Sequence, residues 1–326
     1  MQIIDMRVFR NKNAFGLINA IVGHYYFNEN VTFLIDSNWA EQMLLDSDIP
    51  SSHITKYNFF HFFSFVIGSK VVLPIPRACL DIFLLKILGL VDISTFVHDL
   101  HFLSKSKLLS NEFSGKLFYF KKFVYILTIR ISNNIFTDSR LVKNQIKKLF
   151  GRNSLIIPVK RVFSLKNNRN VLLGDSRRPY DYFIPLSNRL YKGFWALDRL
   201  VFENLNATIV VDSKYYTLVS KILLKSNPNV LIFHCDLSSD GALIDVYRNS
   251  KYIICLSRYE GFGLSPYEAL YFGCIPFVFN CSSYLEVPNL VFNKIRINKK
   301  VFIPASNNTV DFDLAQCIAS RHIVVL

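Results

Sequence analysis

The chain has 326 residues, 51% of them apolar and 15% aromatic, and a formal net charge of +14. Its length exceeds the roughly 250 residues at which single cores stop growing, which points to two domains, and the apolar content excludes a disordered chain. The excess of positive charge implies an anionic partner: nucleic acid, a membrane surface or a phosphorylated substrate.

The first half opens on a short strand pattern at residues 3–6, without signal-peptide anatomy, so the chain is expected to stay in the compartment where it is made. Further strands are predicted at 31–35, 70–73, 93–97, 134–137 and 155–159, with helical patterns between them. The three most apolar stretches, 59–67, 78–91 and 117–131, are short or broken by charge (Asp81 and Lys86; Lys121, Lys122 and Arg130). None supplies the ~20 uncharged residues of a spanning helix. Residues 166–179 are polar, basic and carry Gly and Pro, and mark a linker between a first domain at 1–165 and a second at 180–326.

In the second half, strands are predicted at 182–185, 208–211, 231–233, 252–256 and 275–279. Helices are predicted at 193–203, between 211 and 231, at 243–249 and at 265–272. Continuous apolar runs separated by helices mean parallel sheets covered on both faces, here an α/β chain of two such domains with a ligand cleft at the carboxyl ends of the strands. Cys79, Cys235, Cys255, Cys274, Cys281 and Cys317 are scattered without a C-x-x-C pair and are expected to be small buried hydrophobes, not disulfides or metal ligands.

The stretch at 257–276, SRYEGFGLSPYEALYFGCIP, reads as strand, glycine loop, helix, strand. Gly261 and Gly263 allow a tight turn and a close backbone approach to a ligand. Ser265, as N-cap, and Pro266 would open a helix whose first amides attract an anion. Glu268 stands three residues after Ser265, the spacing of a capping box, so that helix capping is a second reading for it. Glu260, between an aromatic residue and two glycines, caps nothing.

These residues resemble family 4 of the retaining glycosyltransferases with the GT-B fold: Glu-Gly-Phe-Gly-Leu at 260–264, the second glutamate at 268, and Glu-Ala-Leu-x-x-Gly-x-Ile-Pro to 276. Asn188, Arg189, Leu190, Tyr191, Lys192 and Gly193 resemble the family's Arg…Lys-Gly diphosphate element. His98-Asp99 resembles its His-Asp after a strand, Thr137-Asp138-Ser139 its Ser-capped helix, and Phe15-Gly16-Leu17 its amino-terminal glycine loop. The resemblance implies two Rossmann-like domains around a cleft. It makes Glu268 the ribose ligand and sets Glu260 against the donor sugar. The backbone around Gly261, Phe262, Gly263 and Leu264 would meet sugar and diphosphate. Arg189 and Lys192 would neutralise the departing diphosphate, the electrostatic term that usually dominates such catalysis. His98, Asp99 and Gly16 would approach the substrates from the first domain. Two features depart from the family: Arg189 and Lys192 are only three positions apart, and the last helical pattern ends close to Leu326 without the family's longer terminal helix.

The implied function is retaining transfer of a sugar from a nucleotide-diphosphate donor (GDP-mannose, a UDP-sugar or a dTDP-sugar) to a glycan or lipid-diphosphate-linked acceptor. It would serve surface-polysaccharide assembly of the O-antigen or capsule type, with no metal and no other cofactor. Asp46-Ser47-Asp48 and Asp311-Phe312-Asp313 have the Asp-x-Asp form of metal-dependent transferases, but neither follows a strong strand, and both read as turn or cap acids. The alternatives are a non-catalytic sugar-nucleotide binder and a basic nucleic-acid-binding protein, and no zinc-finger, RRM or KH signature supports the latter. Asp138 and Ser139 read as a helix cap. Lys105, Lys107, Lys116, Lys121, Lys122 and Arg130 interleave with Phe113, Phe118, Tyr119, Phe120, Phe123 and Tyr125, and Phe59, Phe60, Phe62, Phe63 and Phe65 form a second aromatic cluster. Both groups suit docking of the first domain onto the cytoplasmic face of an anionic membrane.

Overall fold

The computed structural model describes residues 2–7, 30–46, 49–77, 79–100, 103, 116–157, 161–163, 178–187, 192–202, 206–237, 239–257, 259–261, 263–279, 293–295, 301–303 and 323–325. The chain forms two compact units, Met1–Ser164 with Val324–Leu326, and Leu165–Ile323.

The first unit runs β1 (Gln2–Asp5), β2 (Val31–Ile35), α1 (Asn38–Asp46), β3 (Ile54–Lys56), α2 (Phe59–Val66), β4 (Lys70–Leu73), α3 (Leu80–Ile87), β5 (Asp92–Val97), α4 (Lys116–Ile131), β6 (Asn134–Thr137), α5 (Arg140–Phe150), β7 (Leu155–Ile156) and β8 (Arg161–Phe163). Strands β1 to β7 form a parallel sheet in the order β3-β2-β1-β4-β5-β6-β7. Alternation along each strand sends neighbouring side chains to opposite faces. Ile4, Phe33, Ile35, Val72 and Phe96 therefore pack against Ala40, Met43 and Leu44 of α1. Ile3, Leu34, Val71, Leu73 and Ile93 meet Phe62 and Val66 of α2 and Ile82 and Leu85 of α3. Helix α5 is closed at both ends as its sequence predicts: Ser139 Oγ accepts from the Val142 amide, and Gly151 takes the left-handed conformation (φ 66°) that ends it.

Arg7 is buried just beyond β1, with its guanidinium bonded to Asp5 (2.8 and 2.9 Å) and Asp81 (2.6 Å). It lies over the rings of Tyr57 (4.4 Å) and Phe62 (4.7 Å). This network ties the end of β1 to α2 and α3. It also corrects one expectation: Phe62 is core, and Phe63 and Phe65 pack against the same cluster instead of forming a membrane-facing patch.

The second unit runs β9 (Tyr180–Phe183), β10 (Leu200–Phe202), β11 (Thr208–Asp212), α6 (Tyr216–Ser226), β12 (Leu231–Cys235), α7 (Asp240–Asn249), β13 (Ser250–Cys255), α8 (Ser265–Tyr271), β14 (Ile275–Phe279), β15 (Asn293–Ile295) and β16 (Val301–Ile303). Its main sheet is parallel, in the order β12-β11-β9-β13-β14-β15. β10 pairs with β16. The last strand, β17 (Ile323–Val325), whose Val324 and Val325 belong to the first unit, pairs with β8 of that unit. The chain turns back on itself at β9, with β11 on one side and β13 on the other. The ends of β9 and β13 therefore flank the sheet's switch point, where open α/β sheets bind ligands.

The helix predicted over residues 193–203 is instead a short 3₁₀ turn, Phe194–Arg199, followed by strand β10. Leu200-Val201-Phe202 buries alternate side chains and finds its partner a hundred residues later in β16, a pairing invisible to local pattern. The buried Asn227 side chain also binds this strand, accepting from the Phe202 amide (3.0 Å) and donating to the Leu200 carbonyl (2.8 Å). Within the predicted linker, Arg178 donates to the carbonyls of Tyr247 (3.3 Å), Ser250 (2.6 Å) and Phe272 (3.1 Å), and so clamps the carboxyl ends of α7 and α8.

Candidate active site

Lys192 lies beyond β9 and Glu260 beyond β13, one on each side of the switch point of the second sheet. Their side chains meet: Lys192 Nζ is 2.7 Å from Glu260 Oε1 and 2.6 Å from Oε2. The pair is half-buried on the wall of a cavity of about 140 Å³. Pro185, Leu186 and Ser187 line it from the end of β9, Cys255 and Ser257 from β13 and its continuation, and Ser265 from the start of α8.

Backbone geometry explains this placement. Gly193 has φ 134°, and a Cβ there would stand 2.8 Å from Leu186 Cδ2, so only glycine lets the chain fold back against the cavity wall directly after Lys192. Gly263, at φ 82°, turns the loop between Glu260 and α8, and Gly261 is buried beside it. The expected N-cap is displaced by one residue. Leu264 already has helical angles (φ −66°, ψ −36°) and its carbonyl accepts from the amides of Tyr267 and Glu268, which makes Ser265 the first helical residue. No side chain caps this helix start, so the capping-box geometry is not formed. Glu268 turns to a different partner, and its Oε2 accepts from the Tyr247 hydroxyl at 2.9 Å. Both residues are 1% exposed. Tyr247 is held in turn by stacking on Phe272 and an edge contact with Phe183.

Cys255 sits among these charges. Burial pushes its thiol well above the ordinary range, the negative charges of Glu260 and Glu268 push it further, and Lys192 offsets part of the rise. Burial likewise raises Cys274, and Cys79 is pushed up to about 11. All four described cysteines are unbridged.

In the first unit, His98 and Asp99 follow β5, as expected. His98 Nδ1 lies 2.9 Å from Asp138 Oδ2, and the Asp99 carbonyl accepts from the Tyr125 hydroxyl. The sequence pattern makes Asp138 part of a helix cap, yet Ser139 provides that cap and Asp138 faces the histidine. Arg189, Phe262 and Gly16 lie outside the described residues, as do Ser47, Asp48 and residues 311–313 of the two Asp-x-Asp patterns. Asp46 ends α1. Ser187 and Ser257 on the cavity wall, and Tyr247 as the partner of Glu268, are candidate site residues that sequence reasoning missed. Tyr247 is the single aromatic residue of α7, and nothing local marks its hydroxyl as a partner for Glu268.

No curated protein matches the chain. Residues 188–300 match the family model described as Glycosyl transferases group 1. Several solved structures share the fold. The crystal structure of Anabaena Alr3699/HepE in complex with UDP and glucose aligns with a TM-score of 0.62 at 13% identity, covering 99% of this chain and 95% of that one. The lipopolysaccharide outer core galactosyltransferase WaaB aligns at 0.58 and 14% identity, covering 99% and 96%. WaaG, a glycosyltransferase involved in lipopolysaccharide biosynthesis, aligns at 0.55 and 11%, covering 99% and 90%. The protein thus has the GT-B fold, and the segment that supplies Lys192, Glu260 and Glu268 carries the match to the glycosyl transferases group 1 model.

Proposed function

We propose that the protein is a retaining, metal-independent glycosyltransferase of the family 4 type. It moves a sugar from a nucleotide-diphosphate donor to a glycan or lipid-diphosphate-linked acceptor. The observation that carries this reading is the Lys192–Glu260 pair on the cavity wall at the switch point, inside the segment that matches the glycosyltransferase model. A cation and an acid side by side suit the two halves of such a donor. Lys192, with Arg189, takes the diphosphate, and Glu260 takes the hydroxyls of the sugar. Glu268, oriented by Tyr247, accepts from the ribose hydroxyls. The bond from the sugar to the diphosphate breaks and leaves charge on the phosphate oxygens, which Lys192 stabilises, while the acceptor hydroxyl attacks from the same face and gives its proton to the departing phosphate oxygen.

The UDP and glucose in the HepE structure, and the lipopolysaccharide roles given to WaaB and WaaG, support a sugar-nucleotide donor and a surface-polysaccharide acceptor of the O-antigen or capsule type. Thermal-shift measurements across GDP-mannose, UDP-sugars and dTDP-sugars test the donor, since the right ligand stabilises in proportion to the logarithm of concentration over Kd. Glu260→Ala should mainly lower turnover, and Glu268→Ala should mainly weaken nucleotide binding. Wild-type behaviour in both would sink the assignment, and loss of activity with EDTA, restored by manganese, would sink the metal-independent part.

We also propose that the first unit docks on the cytoplasmic face of an anionic bilayer. No described helix is long and apolar enough to cross a membrane. On α4, Tyr119, Phe120 and Phe123 are more than 60% exposed, beside Lys121 and Lys122. Leu80, Leu84 and Ile87 of α3, with Leu88 just after it, form an exposed stripe, and Ile82 and Leu85 of α3 share a core cluster with Ile131 at the end of α4. Lys105, Lys107 and Phe113 lie outside the described residues. Co-sedimentation with anionic, but not zwitterionic, liposomes at low salt, lost in Phe120→Ser/Phe123→Ser, is the expected result. Equal recovery with both lipids would refute docking.

A further inference from the structure

The register of the first sheet sets Val97 opposite Thr137, so the residues that follow, His98 and Asp138, emerge side by side at the carboxyl ends of β5 and β6. They make a direct contact of 2.9 Å between Nδ1 and Oδ2. The Phe96 ring stacks on the imidazole, nearly parallel at 5.5 Å, and fixes its plane. Asp138 is nearly fully buried, and burial pushes its carboxyl above the usual range, an effect that the hydrogen bond from His98 opposes. A buried carboxylate here can accept from an Nδ1–H, which in a neutral imidazole leaves Nε2 with the lone pair. Nε2 is shielded from solvent and has no hydrogen-bond partner among the described residues. An unsatisfied acceptor in that position costs stability unless a ligand donates to it. The usual occupant of the carboxyl ends of such strands is a substrate.

We propose that Asp138 is a positioning residue that holds His98 as its Nδ1–H tautomer and so offers Nε2 as an acceptor for a substrate hydroxyl. The hydroxyl's part in turnover rests on the glycosyl-transfer reading above; the tautomer does not. Helix capping does not account for Asp138, because the neighbouring Ser139 Oγ already takes the Val142 amide.

Full-length protein labelled with ¹⁵N in its 7 histidines allows the tautomer to be read directly from long-range ¹H–¹⁵N spectra, with the His98 signals assigned by their loss in His98→Gln. The expected wild-type spectrum shows a protonated Nδ1 and a bare Nε2, and Asp138→Ala moves the proton to Nε2. A wild-type Nε2–H form overturns the proposal without need of any variant, as does a folded Asp138→Ala protein with an unchanged tautomer. In turnover of the sugar nucleotide that stabilises the protein, Asp138→Ala should lower kcat about 10- to 100-fold with little change in donor KM. The double variant with His98→Gln should be no slower than His98→Gln alone, because both act through one imidazole. Additive losses overturn the positioning role. The expected tautomer without any glycosyl transfer sinks the functional reading and leaves the pair standing.

Discussion

Replacing Tyr247 with phenylalanine isolates one bond in the second unit. The variant keeps the ring that stacks on Phe272 and meets Phe183, and removes only the hydroxyl that donates to Glu268 Oε2 at 2.9 Å. Both residues are 1% exposed, so water does not readily replace the lost donor. A hydrogen bond to a charged group contributes about 1.5–3 kcal/mol, and leaving a buried carboxylate oxygen short of a donor keeps the cost near that range. For a unit of this size, each kcal/mol lowers the melting temperature by about 2–4 °C, which gives an expected fall of about 3–12 °C. The orientation of Glu268 loosens at the same time, so nucleoside diphosphate binding, measured by titration calorimetry, should weaken about tenfold, equivalent to roughly 1.4 kcal/mol. Glu268→Gln is the informative companion: it still accepts from Tyr247 but lacks the charge, and should lose affinity with a smaller fall in melting temperature. A Tyr247→Phe protein that melts and binds as the wild type does would refute the reasoning.

Gly193→Ala places a Cβ 2.8 Å from Leu186 Cδ2 at a φ of 134°, and should cost about 1–3 kcal/mol and lower donor turnover through displacement of Lys192; unchanged kinetics would count against that path. Arg178→Met keeps the aliphatic stem but frees three carbonyls at the ends of α7 and α8, and should destabilise the second unit by about 1–3 kcal/mol in denaturant titrations. At Asp181, burial raises the carboxyl's pKa, but Lys251 and the Thr208 amide and hydroxyl outweigh it and hold the group below its ordinary 3.8. A depressed acid stabilises the fold above its unfolded value and loses that contribution as pH falls through the folded one. Asp181→Asn should therefore be less stable than the wild type at neutral pH, with a gap that closes below pH 3.8. Glu260→Ala should bind a nucleoside diphosphate without its sugar at least as tightly as the wild type, by calorimetry, even as turnover falls.

The local pattern carried most of the sheet. Residues 31–35, 70–73, 134–137 and 275–279 are strands at the predicted bounds, because continuous β-branched and aromatic runs between helices have no other stable arrangement. The glutamate loop was legible because its glycines do a backbone task that shows in sequence, and Gly263 takes the positive φ expected of it. What escaped depended on distant partners. Leu200–Phe202 became a strand only through Val301–Ile303 and Asn227. Phe62 became core by packing with Ile3, Leu34 and Val71 from distant strands, with Arg7, fifty-five positions away, over its ring. Asp138 looked like a cap because capping is a local rule, whereas its histidine comes from the adjacent strand.

The Lys192–Glu260 contact links the two halves of the proposed donor site. With both carboxylate oxygens within 2.7 Å of one ammonium, the half-buried pair is close to neutral, which lowers the cost of keeping either charge at the cavity wall. A diphosphate arriving there is a stronger partner for Lys192 than one carboxylate, since it offers more charge and more acceptor oxygens. As Lys192 turns to the phosphates, Glu260 loses a donor that its half-buried carboxylate must replace. Sugar hydroxyls are donors of the right kind at the right place. A nucleotide without its sugar takes the lysine and leaves the carboxylate uncompensated, whereas the complete donor satisfies both. On the proposed reading the pair therefore favours the intact sugar nucleotide over the spent one, and the glutamate's contribution falls on the sugar half, where a transferase needs to discriminate.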